Sequence, residues 1–496
     1  MAMRTLLINP PQTIYKGSLS YEKAIPLGLI YIGAMLKQND YDVQLLDTLV
    51  NDENMIEKEV TYHGMSWIHI EERIRSINPD IIGISALSTA QIPNVKNLLK
   101  RIKTIDDKIF TIVGGAHVSA RPIEFIESCP DCDLVIIGEG ENKILDVVKH
   151  LEGKLDIEKI DGVCYNKNNS IKITENKYIK KIDDIPFPAY DLLEIEKYFK
   201  KPIFGKQYRK MRMITSRGCP FNCIFCSIHL HMGNKWRPHS PDYVINHIMH
   251  VIEKYDINHI SFEDDNLTLD INRFNSIMDK IIENDLSFSW DTPNGVRADR
   301  LTKEMLIKMK NTGCQKLTIA VESGNQRVLN DIIKKDLLLE DAVNAAKFCK
   351  EVNVPLNAFY VVGFPGETLE NMKETINFAT YLHYEYDVSM YLMIATPLLE
   401  TELYKICKEN NYLVKDITPR DLSEGTQMIG NSLIKTEDFT PEEVKKIALE
   451  GFNKYKLSSI NKYYNNPDLL LKKIFNKRIN FDKISHYINT VAFKEN

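Results

Sequence analysis

The sequence predicts an α/β protein: two successive parallel sheets followed by a helical tail. Short, continuous apolar runs alternate with amphipathic helical segments over residues 1–150, the pattern of strands buried on both faces of a parallel sheet. After a connector, the alternation restarts near residue 206 and continues for six strand–helix units. Beyond about residue 400 the strand signals disappear.

The first series places strands at Thr5–Asn9, Val43–Leu46, Asp80–Ser85, Phe110–Val113 and Leu134–Ile137, with helices at Leu27–Leu36 and Ile92–Ile102. Gly28, Gly33 and Ala34 allow the first helix to pack closely. This is a Rossmann-like, flavodoxin-like domain over 1–150, and such sheets bind ligands beyond the carboxyl ends of their strands. Residues 151–205 form a linker with one hairpin, marked by Asn166–Ser170 and the prolines of Asp183–Pro188. The second series places strands at Met211–Thr215, His259–Phe262, Phe288–Asp291, Lys316–Ala320, Leu356–Val362 and Val388–Ile394. Six units over 206–400 predict a partial (β/α)6 barrel, two strands short of a closed eight-fold one. The remainder, 401–496, is a helical C-terminal domain with a helix at Pro441–Leu457.

Composition narrows the function. Of 496 residues, 44% are hydrophobic and 26% charged, which excludes wholesale disorder. Lys and Arg total 63 against 68 Asp and Glu, so the basic field of a dedicated nucleic-acid binder is absent. No apolar run approaches the roughly 18–20 residues of a membrane span. The apolar stretch before Asn9-Pro10 is too short for a signal-peptide core. Nine cysteines, sparse and odd in number, imply no disulfide framework, so the expected compartment is the cytoplasm.

Three of those cysteines cluster as Cys219-Pro220-Phe221-Asn222-Cys223-Ile224-Phe225-Cys226, after the first strand of the second series. A C-x3-C-x2-C loop can wrap its thiolates round one corner of a cubane iron–sulfur cluster, and three ligands leave one iron open. Zinc is the rival, although structural zinc takes four ligands, and His229 and His231 are near enough to compete. Cys129 and Cys132 form a C-x2-C pair with no partner pair nearby. Cys164, Cys314, Cys349 and Cys407 fall in apolar or helical contexts that mark core residues.

The cysteine spacing with an aromatic at Phe225, at the end of the first of six βα units, resembles the radical S-adenosylmethionine (SAM) enzymes. The resemblance implies a [4Fe–4S] cluster on Cys219, Cys223 and Cys226, with SAM chelating the open iron and yielding a 5′-deoxyadenosyl radical. It implies SAM contacts from Phe225, from Asp264 and Asp265 after the second strand, from Glu322 and Ser323 after the fourth, and from Gly363 and Pro365 in Gly363-Phe364-Pro365-Gly366-Glu367 after the fifth. Where the family often has Pro-x-Pro-Gly-Thr, this chain has Pro397-Leu398-Leu399-Glu400-Thr401, which predicts an unusual loop there.

The first series resembles the cobalamin-binding half of the B12-dependent branch, the class B radical SAM methyltransferases. Ser85-x-Leu87-Ser88 followed by Gly114-Gly115, with Asn9-Pro10, His117, Val118, Gly138, Glu139 and Gly140, are the positions this resemblance assigns to cobalamin. The linker Ile185-Pro186-Phe187-Pro188-Ala189 matches too. Together they imply methylation of an unactivated carbon, or a phosphorus, after hydrogen abstraction. One SAM methylates cobalamin and a second feeds the cluster. Non-methylating B12 chemistry such as cyclisation, and a non-catalytic sensor, are the alternatives. The implied partners are a small-molecule or peptide substrate and a one-electron donor such as flavodoxin or ferredoxin. No residue stands out as a general base, and radical hydrogen abstraction needs none. In the tail, Tyr455, Tyr463, Tyr464 and Tyr487 and the basic Lys472, Lys473, Lys477 and Arg478 suit a solvated helix face.

B12 domains of the methionine-synthase type ligate cobalt through Asp-x-His-x-x-Gly. The corresponding stretch, Gln38-Asn39-Asp40-Tyr41-Asp42-Val43, has no histidine, and His117 lies where the family contacts the nucleotide tail. The cobalt is therefore expected to lack a protein imidazole, which favours radical-like methyl release. EPR of the cob(II)alamin protein is expected to show no nitrogen superhyperfine splitting, and its appearance would refute this reading.

Overall fold

Seven strands make the first sheet of the computed structural model, which describes residues 3–15, 23–50, 54–57, 60–199 and 207–465. They are β1 (Arg4–Asn9), β2 (Asp42–Asp47), β3 (Ile81–Ser85), β4 (Phe110–Gly114), β5 (Leu134–Ile136), β6 (Val163–Lys167) and β7 (Ser170–Ile173), in the order β7-β6-β5-β4-β3-β1-β2. β1 to β5 pair in parallel. The chain leaves β1 to one side for β2 and returns to its other side for β3. That reversal opens a crevice beyond the carboxyl ends of β1 and β3.

The hairpin expected in the linker is β6–β7. It pairs antiparallel with β5 and extends the first sheet, because Val163, Cys164 and Tyr165 are buried against that core. A small antiparallel sheet of Gln12–Tyr15, Val60–His63 and Asn54–Glu57 has no counterpart in the expected elements. Its strands are short and polar, so periodicity gives no signal. Thr13 N donates to Gln91 Oε1 at 2.9 Å, fixing this sheet over the crevice.

The second sheet contains β8 (Lys210–Met213), β9 (His259–Phe262), β10 (Ser289–Asp291), β11 (Cys314–Glu322), β12 (Leu356–Val362) and β13 (Ser389–Ile394), parallel and in chain order. Its helices are stopped on their N-terminal sides by side-chain caps from Ser240, Asp270, Thr302 and Thr368, each satisfying a backbone N–H left over from the first turn. Trp290 is fully buried, with its indole N–H donated to Thr312 O at 3.0 Å.

After β13 the chain forms helices Glu402–Glu409, Pro419–Gly425 and Pro441–Asn465. The last packs on helix Leu369–Tyr386, and the Tyr455 ring packs at a tilt on His383 of that helix, centres 4.4 Å apart, rather than facing solvent alone. The side chains of Tyr463 and Tyr464, and Lys472, Lys473, Lys477, Arg478 and Tyr487, lie outside the described residues. Among the described residues no helix is long and apolar enough to cross a membrane.

The connector docks on helix Pro241–Tyr255 through rings. Phe187 stacks on His247 at 4.7 Å, and His239 stacks on Tyr243 while its Nδ1 meets Asp183 Oδ1 at 2.9 Å. Burial keeps both imidazoles neutral, lowering His239 to about 4 and His247 to about 3. A free histidine titrates near 6.5, so below that pH the unfolded chain binds protons the fold refuses. Stability is therefore expected to fall as pH drops from about 6.5 toward 4, by up to about 1.4 kcal/mol per unit per histidine. Urea midpoints across this range check it, and the slope should flatten in His247→Phe.

Candidate functional site

The three-cysteine loop leaves the end of β8 under tight control. Asp264, 2% exposed, accepts from Thr215 N, from Thr215 Oγ1 at 2.7 Å and from Ser216 Oγ at 2.5 Å. Gly218 then turns the chain at φ +79, where a Cβ would stand 2.5 Å from Lys235 O. Its N–H donates to Asp265 Oδ2 at 3.0 Å. Further along, Ile224 N donates to Ile333 O at 3.1 Å, and Ile224 O accepts from Leu403 N at 2.8 Å. The loop is thus held by β9, by the segment after β11 and by the first helix of the tail.

All nine thiols are unpaired; Cys226 is exposed, Cys219 and Cys223 are half-buried, and the other six, Cys129 and Cys132 included, are buried in the cores. Burial pushes the Cys223 thiol up, and charge on the neighbouring Cys219 raises it further. The two are therefore close enough to repel one another as thiolates. Three thiols on one eight-residue loop are a donor set that fits a polynuclear cluster, in which each thiolate takes its own iron and the metal charge draws the protons off. His229 Nε2 donates to Cys219 O at 2.8 Å, which removes that nitrogen from any ligand set. The His231 ring is held neutral by burial.

The loops expected to meet SAM surround these thiols. Phe225 packs on Phe364 with ring centres 5.8 Å apart, joining the cysteine loop to the loop after β12. Gly363 has φ +93, Pro365 is half-buried, and the Glu367 carboxylate clamps this turn by accepting from Gly363 N at 2.7 Å and Phe364 N at 3.0 Å. A bulge at the end of β11 turns Glu322 to φ +72, and its carboxylate pairs with Lys335 at 2.9 Å. Ser323 is buried, with its hydroxyl 3.1 Å from Thr375 Oγ1. Asp265 is half-buried beside the loop, and burial with the adjacent Asp264 raises it to about 7. Two of the expected SAM contacts, Asp264 and Ser323, thus spend their polar atoms on the protein itself. Both stand as supports beneath the loops, because a fully buried side chain in this position must find its partners in the chain.

At the first sheet, Ser85 and Gly114 lie side by side in register. Gly115 has φ +122, and a Cβ there would meet Ala86 O at 2.7 Å, so the backbone comes as close as atoms allow. Leu87 is 74% exposed and Ser88 is exposed, both above the crevice. Asn9 Nδ2 donates to Asp47 Oδ1 at 2.9 Å beside buried Pro10. His117 Nδ1 lies 2.9 Å from Thr89 Oγ1, and burial lowers its ring to about 4. Val118 is fully buried in the core, and Gly138 N donates to Ser119 Oγ at 2.9 Å. A Cβ on Gly140 would press on Ile32.

Glu139 lies elsewhere than expected. It is 5% exposed and meets two guanidiniums of the second half, Arg217 at 3.0 Å and Arg237 at 2.7 Å, while Glu141 takes the other edge of Arg217 at 2.7 Å. Burial alone would push Glu139 up, but the guanidiniums outweigh it and hold the carboxyl below its usual range. Arg217 immediately precedes Gly218-Cys219. A Gly-Glu-Gly-Glu turn carries no sequence signal that separates a cofactor contact from a partner in another domain.

A cavity of 380 Å³ lies between the halves. Leu87, Ser88, Thr89 and His117 line it from the first sheet, Ser227 and Leu230 from the cysteine segment, and Leu398, Leu399, Leu422 and Thr426 from the loop after β13 and the tail. The loop that departs from Pro-x-Pro-Gly-Thr keeps a left-handed turn, with Glu400 at φ +65 in the glycine position. The Glu400 carboxylate lies 3.3 Å from Arg121 of the first half, so a cross-domain ion pair accompanies the strain.

Comparison with known proteins agrees with this architecture. The B12 binding domain family matches residues 19–148 and the Radical SAM superfamily matches residues 213–379. An uncharacterized methyltransferase of Pyrococcus horikoshii is 30% identical over 95% of this chain and 95% of its own. The cytidylyl-2-hydroxyethylphosphonate methyltransferase of Streptomyces wedmorensis is 28% identical over 83% of this chain and 82% of its own. The structure of the cobalamin-dependent S-adenosylmethionine radical enzyme OxsB, with aqua-cobalamin and S-adenosylmethionine bound, superposes with a TM-score of 0.71 at 18% identity, covering 100% of this chain and 76% of that one.

Removing one member of the buried charge cluster strands the others. Glu139→Gln is expected to cost about 3–5 kcal/mol. It should also lower iron uptake on reconstitution. Urea unfolding and iron content check both, and a variant with wild-type values would show the cluster to be dispensable.

Proposed function

The chain belongs to the B12-binding radical SAM enzymes, and on that premise we propose that it is a methyltransferase acting on an unactivated carbon, or a phosphorus, of a small molecule. The observation that carries this is a cavity bounded at once by the first sheet's crevice, the cysteine segment and the tail. In this family the bound groups supply a methyl donor on cobalamin and a hydrogen-abstracting radical from SAM on a [4Fe–4S] cluster.

Cys219, Cys223 and Cys226 would hold the cluster. Phe225, Asp265, Glu322, Gly363 and Pro365 would contact SAM, with Asp264 and Ser323 fixing those loops. Asn9, Pro10, Ser85, Leu87, Ser88, Gly114, Gly115, His117, Val118, Gly138 and Gly140 would shape the cobalamin site. Leu398, Leu399 and Leu422 would keep water from a reacting radical. We assign 1–150 to cobalamin, 206–400 to SAM and 401–496 to closing the cavity, with 151–205 between them. A flavodoxin or ferredoxin would deliver electrons one at a time in the cytoplasm.

Incubation of the reconstituted protein with SAM, reductant and candidate metabolites tests the reading. Methyl transfer should release S-adenosylhomocysteine and 5′-deoxyadenosine together, with product heavier by one methylene. Formation of 5′-deoxyadenosine alone would point instead to non-methylating chemistry.

A further inference from the structure

The segment after β11 carries a buried cation whose role beyond pairing with Glu322 has not been assigned. Lys335 is 7% exposed, and its ammonium pairs with Glu322 at 2.9 Å. Burial opposes the charge, but Glu322 and the loop thiol of Cys223 outweigh it and keep Lys335 protonated. The segment is locked to the cysteine loop at two points. Ile224 N donates to Ile333 O, and Arg297 donates to Lys335 O at 2.9 Å and Asp336 O at 2.5 Å while lying 3.8 Å over the ring of Phe221. Glu322, Lys334 and Asp336 all take left-handed backbone, at φ 72, 60 and 53, which costs energy at a non-glycine residue. A buried ion pair adds little net stability over an apolar pair of the same volume. Strain and desolvation thus accompany a buried cation on a segment hydrogen-bonded to the cysteine loop next to Cys223.

We infer that Lys335 tunes the cluster held by the three cysteines, its buried ammonium favouring the one-electron-reduced, more negative state, with Glu322 fixing and partly offsetting that charge. The inference rests on the reading of those cysteines as [4Fe–4S] ligands. The step adds one electron from the one-electron donor and neither makes nor breaks a bond. A fixed positive charge in a water-excluded site lowers the free energy of the added negative charge.

The test is the midpoint potential of the reconstituted cluster, from EPR-monitored titration without SAM or substrate, alongside iron content. Lys335→Met is expected to shift the one-electron equilibrium against reduction by about tenfold, ~59 mV. Glu322→Gln should shift it the opposite way, the double variant should fall between, and Lys335→Arg should stay near wild type. Should Lys335→Met fail to take up iron, the double variant, which leaves no unpaired charge, carries the comparison. Wild-type potential in an iron-replete Lys335→Met protein would overturn the inference. So would single variants that shift in the same direction, the sign of general loosening, or an unmoved potential with weakened SAM binding. Failure of the wild-type chain to assemble a cluster would instead remove the reading beneath it.

Discussion

Four charged side chains sealed between the halves set the geometry on which everything else depends. Glu139 and Glu141, from the turn after β5, enclose Arg217, and Arg237 closes on Glu139 from the other side. Such groups are costly to desolvate and tolerate no partial pairing. They therefore admit one relative placement of the first sheet and the cysteine loop. Because Arg217 is two residues from Cys219, fixing the guanidinium fixes the first thiol. Tyr31 adds a ring 5.2 Å from the same guanidinium, so the first helix joins the same constraint.

From that joint the two sheets present their carboxyl ends to a shared space. The crevice at β1 and β3 and the mouth of the second sheet each follow from parallel βα topology. The tail makes the space a cavity. Helix Pro419–Gly425 brings Leu422 to the rim, and Glu400 reaches Arg121 across the gap. A radical enzyme needs such enclosure more than it needs acid–base groups, and the lining residues are accordingly leucine, isoleucine, alanine, serine, threonine and glutamine with one neutral histidine.

Much of this was legible in the sequence. Every strand of the second sheet was placed within two residues at either end, because buried parallel strands are continuous apolar runs bounded by polar turns. The cysteine loop was legible because its spacing carries chemistry in itself. The small sheet over the crevice was not, since Gln12–Tyr15 and Val60–His63 have no apolar periodicity. Nor was the division of labour among acidic residues. Asp264 and Asp265 are neighbours, yet one is consumed by Thr215 and Ser216 while the other faces the loop. Glu139 likewise differs from a cofactor contact only in what another domain brings to it. Lys335 and Arg297 sit in ordinary-looking polar stretches, and only folding shows that they border the cysteine loop.

Ile224 is anchored on one side by Ile333 and on the other by Leu403, while Arg217 is anchored by Glu139. The contacts that shape an eight-residue loop thus span the chain from 139 to 403. The metal-binding loop takes its shape from partners in separate regions of the chain, and no short segment around residues 219–226 contains them all.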